Sequence, residues 1–503
     1  MTRRALPRTI KPRFSLSPTF YWKPIRQVID FVDEQGVETM ARGCTVLGGG
    51  IMTFDLQFTD KEITPWGGLS LIKRMLDHIG FDAALAASAL PQPGSNRGYR
   101  PEQLIMQFML GVWCGANRFE HGEVTRHDHV LQRLYGFARM ANFKAVIRLF
   151  RKFDQPTNDG VFGRLYAWLI AQLQLDVLTL DLDSTVMTRY GVQDGAAKGY
   201  NPAKPGRNSH HPLMAFVADT RMVANLWLRP GNSHTANNVS GFLVATLERL
   251  GTKRVGLLRA DSGFSDDTFL RDLEQRKIPF LVAAKLQQPL QRALVAQPGW
   301  WSLDEGIDLV SFDYQSPSWE TPRKVVGIRQ HITYRDHPKG KTLSLFADDP
   351  AYGHYRYGVI VTSLDLPAQE IWRTYRGRAD CENRIKELKY DFAADSFCLK
   401  DFFATEACLN TVMLAYNLMS LFRQVALKAS TTEATASHGK GIQHTLQTLR
   451  FKLFAKAGYI TTEGRKNILK LAVGMRHRES FEGLWTQAKT FDLPVKFSPV
   501  FSP

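Results

Sequence analysis

The run LDVLTLDLDSTV, Leu175 to Val186, constrains the fold more than any other stretch of this chain. It is apolar and β-favouring, so it reads as a buried strand. Yet it carries Asp181 and Asp183, which strand propensity and burial both disfavour. At a period of two the acids share one face, so the strand presents paired carboxylates at its end. A salt bridge or a cap on the following turn would account for them, and so would chemistry. A second stretch repeats the arrangement: RVGLLRADSGF is an apolar strand followed by Asp261, a glycine turn and a helix. Open α/β sheets place their ligands beyond the carboxyl ends of strands, where both acids lie. Asp266 or Asp267, just downstream, is better explained as a helix N-cap.

A third acid comes from TYRGRADCENRIKELKYDF. At about 100° per residue, a helix here gathers Tyr375, Arg378, Glu382 and Lys389 into a stripe roughly 60° wide. Asp380 and Glu387 project about 100° or more away, which makes Glu382 the acid of choice. A solvated charged face is the bland alternative. One carboxylate from each of two strands and one from a helix is the donor inventory for two divalent ions, and hard oxygen ligands suit Mg²⁺ or Mn²⁺. His210-His211 lacks a third ligand for a metal site of its own.

The rest of the chain frames this centre. Sixty-four Lys and Arg against 48 Asp and Glu leave a net charge of +16 among 503 residues, which favours a polyanionic partner. Five cysteines without a CxxC pair point to a reducing compartment, and no run of 18 apolar residues points to a membrane span. The expected location is cytoplasmic. Residues 1–60 read as a basic arm and N-terminal segment, broken by Pro7, Pro12, Pro18 and Pro24. Residues 61–170 have helical periodicity and form a candidate DNA-binding region, with Pro101 and Asp159 near helix starts. Residues 171–286 and 367–428 alternate strand and helix, which predicts a mixed sheet flanked by helices. Within them LMAFVADTRMVANLWLRP reads as a hairpin turning at Asp219-Thr220-Arg221. Residues 287–366 are strand-rich, and 429–503 read as a linker followed by a basic helical region.

In order, LDLDST, RADSGF and the Tyr-Arg-Glu-Lys helix resemble the three acidic motifs of bacterial insertion-sequence DDE transposases with an RNase H-like catalytic fold. The loop GAAKGYNPAKPG after the first motif strengthens the likeness, which covers about Leu175 to Phe392. The family's first acid precedes Ser/Thr-Thr, which selects Asp183 over Asp181; Asp261 and Glu382 carry over as the others. The fold implied is α/β, an RNase H-like mixed sheet with a β-rich insertion (287–366) between the second and third acids and helical N- and C-terminal regions. The resemblance implies a cut-and-paste enzyme of bacterial, nucleoid-associated location. Two Mg²⁺ or Mn²⁺ held by Asp183, Asp261 and Glu382 would support cleavage at transposon ends and 3′-OH strand transfer into target DNA. It implies double-stranded DNA partners, the terminal inverted repeats and the target, and a homodimer on DNA. Arg378 and Lys389 would grip phosphates and Tyr375 would position the backbone or a displaced base. Lys198, Lys204, Arg207 and His210, in the loop beside Asp183, are further expected DNA contacts. Trp300, Trp301 and Trp319 are candidates for stacking on a flipped base, with the core of a small β region as their plainer role. The alternatives are an RNase H-like nuclease without strand transfer and a non-catalytic, transposase-derived DNA-binding protein.

Overall fold

The computed structural model describes residues 56–95, 98–235, 238–304, 306–332, 355–427 and 444–502. Lys61–Pro503 form one unit and Met1–Asp60 another. Residues 1–55 of the basic arm and N-terminal segment, residues 333–354 of the strand-rich region and the expected linker from 429 to 443 lie outside the described residues.

Helices come first, as the periodicity predicts: α1 (Ser70–His78), α2 (Pro101–Cys114) and α3 (Gln155–Ala171). Pro101 occupies the first turn of α2, where its missing N–H costs nothing, and Gly115 closes the helix at φ 102°. Helix α3 starts earlier than Asp159, because Asp154 caps it through a 2.9 Å bond from Thr157 N–H.

The main sheet is built from β1 (Val177–Ser184), β2 (Leu213–Val217), β3 (Met222–Trp227), β4 (Arg254–Ala260) and β5 (Phe280–Ala283). Four more strands extend it: β6 (Trp301–Asp304), β7 (Ile307–Tyr314), β8 (Arg323–His331) and β9 (Tyr355–Thr362). Among the described residues these nine form one sheet in the order β6-β7-β8-β9-β5-β4-β1-β2-β3. Strands β1, β2 and β3 are antiparallel neighbours, while β1, β4 and β5 run parallel. This five-strand unit is the RNase H-like sheet. The strand-rich 287–366 region continues it beyond β5 through the antiparallel β9. It also contains a helix, Gln288–Val295, that its strand-like composition hid.

Side-chain alternation divides the faces. Leu180 and Leu182 join Leu258 and Val282 in a core covered by Phe242 and Leu243 of α4 (Val239–Leu250) and Phe269 and Leu270 of α5 (Asp267–Gln275). Asp181 and Asp183 therefore point to the other face, beside Phe216 and Met214 of β2. That face receives α6 (Ala368–Arg376), α7 (Ala379–Tyr390) and α8 (Phe402–Phe422). Helix α8 is buried along almost its whole length, between β3 and helices α2 and α3. It also covers the sheet edge: Asn417 accepts from Val223 N–H at 2.7 Å and donates to Val223 C=O at 2.8 Å. Those bonds occupy backbone groups that a bare edge strand would leave open to another chain.

Two elements differ from the sequence reading. The Tyr375–Lys389 stripe is two helices, not one, meeting at Gly377-Arg378. Gly377 is needed at this corner because a Cβ would stand 2.6 Å from Arg259 Nη1. The C-terminal region is helical only in part. An antiparallel hairpin, β10 (Gly458–Glu463) with β11 (Lys466–Leu471), precedes α9 (Met475–Thr490). Ile460, Thr461 and Thr462 favour strand, and Gly464 turns at φ 60°.

Candidate active site

Asp183 is the penultimate residue of β1, almost wholly buried, and Asp261 follows directly on β4. Because β1 and β4 are parallel neighbours, their carboxyl ends open at the same sheet rim. Asp261 is fixed by an Asx turn, accepting from Gly263 N–H at 2.9 Å. Glu382 comes from the first turn of α7 with 60% of its side chain exposed. Arg378 stands between the acids: its Nη2 donates to Asp183 Oδ2 at 2.9 Å and its Nη1 to Glu382 Oε1 at 3.4 Å.

The electrostatics show that the three acids share one neighbourhood. Burial pushes the Asp183 carboxyl up to about 6; Arg378 opposes the rise, while the charges of Asp261 and Glu382 add to it. Burial also pushes Tyr375 up to about 12, and the same three carboxylates contribute. Its hydroxyl donates to the Ala260 carbonyl at 3.3 Å, one residue before Asp261. The Arg378 guanidinium is desolvated, yet Asp183, Tyr375, Cys381 and Asp261 raise its pKa, so it stays cationic. Its Nε is buried without a hydrogen-bond partner.

The neighbouring acids are already engaged elsewhere. Asp181 forms a buried bidentate pair with Arg259, at 2.6 and 2.8 Å, and the two residues stand opposite each other in the β1–β4 register. Arg259 also donates to the Thr374 carbonyl at 2.7 Å, tying the end of α6 to the sheet and setting the corner from which Arg378 projects. Asp380 pairs with Arg384 and Arg221, and Glu387 with the buried Arg423. This distribution leaves Glu382 as the α7 acid that shares Arg378 with Asp183. Arg259 was missed in the sequence, although an arginine inside an apolar strand was the available signal.

Lys389 is half-buried and donates to the Val186 carbonyl at 2.9 Å, holding the chain just after Asp183. From there the loop carries a small three-stranded sheet, Met187–Thr188, Asn208–His210 and Ala197–Lys198. Lys198, Lys204 and Arg207 are exposed on it. His210 corrects the expectation of a DNA contact, because it is fully buried. It accepts from Arg189 at 3.0 Å and packs edge-on against Phe402, and burial pushes its pKa down to about 4. His211 bonds Ser184 Oγ at 3.1 Å and so braces the end of β1.

The tryptophans lie elsewhere. Trp319 is buried against Tyr314 and Arg323, which corrects its candidacy for base stacking. Trp300 is half-buried under Arg329. Trp301 is 39% exposed on edge strand β6. Five strand spacings, about 24 Å, separate that strand from β4. A polar cleft of about 510 Å³ opens at the turn that follows Asp261, lined by Gly263, Ser265, Thr268, His234 and Lys285 among others. Among the described residues no group of three His, Cys, Asp or Glu side chains is close enough to hold one ion. In this arrangement Arg378 holds Asp183 Oδ2, and Ser184 N–H donates to Oδ1 at 2.7 Å.

An RNase H-like sheet with acids at the ends of its first and fourth strands, faced by a third acid on the helix laid over them, defines the DDE class. The chain belongs to the family described as transposase DDE domain, group 1, whose model matches residues 52–490. No curated protein matches it. Among solved structures it is similar to a piggyBac transposase in a synaptic complex with hairpin DNA, at 14% identity and a TM-score of 0.36 over 78% of this chain and 81% of that one. At that score the likeness is loose, and no residue correspondence follows from it.

Proposed function

We propose that this transposase-family chain cuts DNA at the ends of a mobile element and joins the freed 3′-hydroxyl to target DNA. The observation that carries the reading is the convergence of Asp183, Asp261 and Glu382, from three separate elements, around Arg378.

The residues fit a pair of divalent ions by donor chemistry, since three carboxylates are the hard oxygen ligands that Mg²⁺ and Mn²⁺ prefer. When bound, such ions would supply Lewis-acid stabilisation to the attacking and leaving oxygens of an in-line displacement at phosphorus. Asp183, Asp261 and Glu382 would hold them. This requires Arg378 to release Asp183 Oδ2, and the exposed Glu382 to turn inward.

The chain's own groups do the rest. Arg378, permanently charged and with a donor to spare, takes a phosphate oxygen near the scissile bond. Tyr375, a neutral phenol whose pKa burial raises further, positions the backbone by hydrogen bonding and contact. Lys389 holds the chain that follows Asp183; burial pushes its pKa down, while the charges of Asp395 and Asp183 oppose the fall. Double-stranded DNA fits the +16 charge, and two copies acting on two ends would fit the reaction. The helical 61–170 region and the basic C-terminal region are the segments we assign to further DNA contact.

The Arg378–Asp183 contact is also what a non-catalytic, DNA-binding derivative would retain, so the test must separate the readings. Labelled duplex bearing the element's end is incubated with Mg²⁺ and a supercoiled target plasmid. Strand-joined product is expected. Nicked ends without joining would instead make this a nuclease, and binding without nicking would make it a derivative.

A further inference from the structure

The flap from Thr185 to Pro212 begins two residues after Asp183 and is tied down by buried polar contacts. Arg189 is buried, donating to His210 Nδ1 at 3.0 Å and to the Asp395 carbonyl. Asn201 is buried too; its Nδ2 donates to Thr188 Oγ1 at 3.1 Å, and its Oδ1 accepts from Lys204 N–H at 3.0 Å. Gly199 lies so close to Gly231 that a Cβ would stand 2.0 Å from its carbonyl oxygen. A loop pinned in this way holds its outward groups in place.

Two of those groups are aromatic rings, Tyr190 at 70% and Tyr200 at 74% exposure. Lys204 Nζ donates to the Tyr190 hydroxyl at 2.6 Å and lies 5.2 Å from its ring centre. Lys198 and Arg207 are exposed on the same flap. Residues 185–212 hold four Arg or Lys against one acid, Asp194. A single exposed tyrosine means little, since folded surfaces are largely apolar. Two rings interleaved with cations, on a rigid loop rooted at a catalytic acid, supply both requirements of a single strand: π-faces for bases and charge for phosphates. A duplex, whose base faces are already stacked on each other, needs only the charge.

We propose that Tyr190 and Tyr200 form a stacking platform for unpaired nucleobases of the strand that reaches Asp183, Asp261 and Glu382, with Lys198, Lys204 and Arg207 holding its phosphates. The proposal rests on the DNA chemistry inferred above, but assigns base stacking to the flap in place of the tryptophans.

Fluorescence anisotropy of the full chain without metal tests it, using a 20-nucleotide oligo-dT and a 20-base-pair duplex as probes. A Tyr190→Ala, Tyr200→Ala double variant is expected to lose about tenfold or more in affinity for the single strand, as stacking strength implies. Its duplex affinity is expected to stay within about twofold, because phosphate contacts set that term. The Tyr→Phe pair should bind both probes like wild type. Unchanged oligo-dT binding in the alanine variant, or equal loss on both probes, overturns the platform alone. Wild-type protein that binds neither probe overturns the DNA reading with it. A second readout needs no variant: photo-crosslinking of an oligonucleotide carrying 5-iododeoxyuridine should map to Tyr190 or Tyr200, and crosslinks confined to other residues would also overturn the proposal.

Discussion

Two aspartates two residues apart on one face of one strand differ in their partners. Asp181 meets Arg259 in a fully buried, bidentate pair; Asp183, at the strand end, meets Arg378, which it shares with Glu382. Removing one partner of a buried pair leaves an uncompensated charge and typically costs about 3–5 kcal/mol. Asp181→Asn is therefore expected to lower the unfolding temperature sharply. Asp183→Asn should cost clearly less, because Arg378 keeps Glu382 as a partner. Thermal unfolding of the two variants side by side checks this, and equal destabilisation would remove the distinction. The choice of Asp183 came from the motif that follows it. That Asp181 is an anchor was only half legible, because the β1–β4 register that sets Arg259 opposite it is a tertiary fact. His210 shows the converse: its type and place suggested a ligand contact, and only the packing of Phe402 and Arg189 around it reveals a buried brace.

Among the elements, the core strands and their helices were legible because their periodicity and turn chemistry agree. The β2–β3 hairpin turns at Thr220-Arg221 as expected, with Arg221 at φ 59°. The α6–α7 corner was not, because the backbone around Gly377 stays in helical dihedral space and the reason for the break is Arg259 beneath it. The β10–β11 hairpin was hidden by basic residues that suit an exposed strand as well as a helix. Helix α8 carries a consequence of its own. Glu406, 8% exposed, accepts from Leu228 N–H at 2.9 Å and from Asn158, and burial pushes its pKa from 4.5 up to about 7. Between those values the native state holds a proton that the unfolded chain has lost. Stability from this group is thus present at low pH and declines as pH rises from about 4.5 through 7, by about 3 kcal/mol at most. Glu406→Gln has no such titration. The unfolding temperature of the variant minus that of wild type should rise between pH 5 and pH 8; a difference independent of pH would contradict the assignment.

For the whole molecule, the sheet does what no single motif could. It brings Asp183 and Asp261, 78 positions apart, to neighbouring strand ends, and returns the chain 121 positions later to lay Glu382 over them. The intervening strands β6 to β9 occupy that gap by extending the same sheet, and no described helix is long and apolar enough to cross a membrane. The +16 charge then favours the long polyanion on which such a site would act. Whether these three acids together cut DNA with a divalent ion is tested by comparing wild type with Asp183→Asn, Asp261→Asn and Glu382→Gln on an end-labelled duplex carrying the element boundary, in Mg²⁺ and in EDTA, with binding measured on the same duplex. Wild type is expected to nick at the boundary in Mg²⁺ alone, and each variant to bind the duplex about as tightly while losing nicking by a hundredfold or more, in the range that removing single catalytic groups produces. Nicking at the wild-type rate by any one of the three variants, or undiminished nicking in EDTA, would contradict the account.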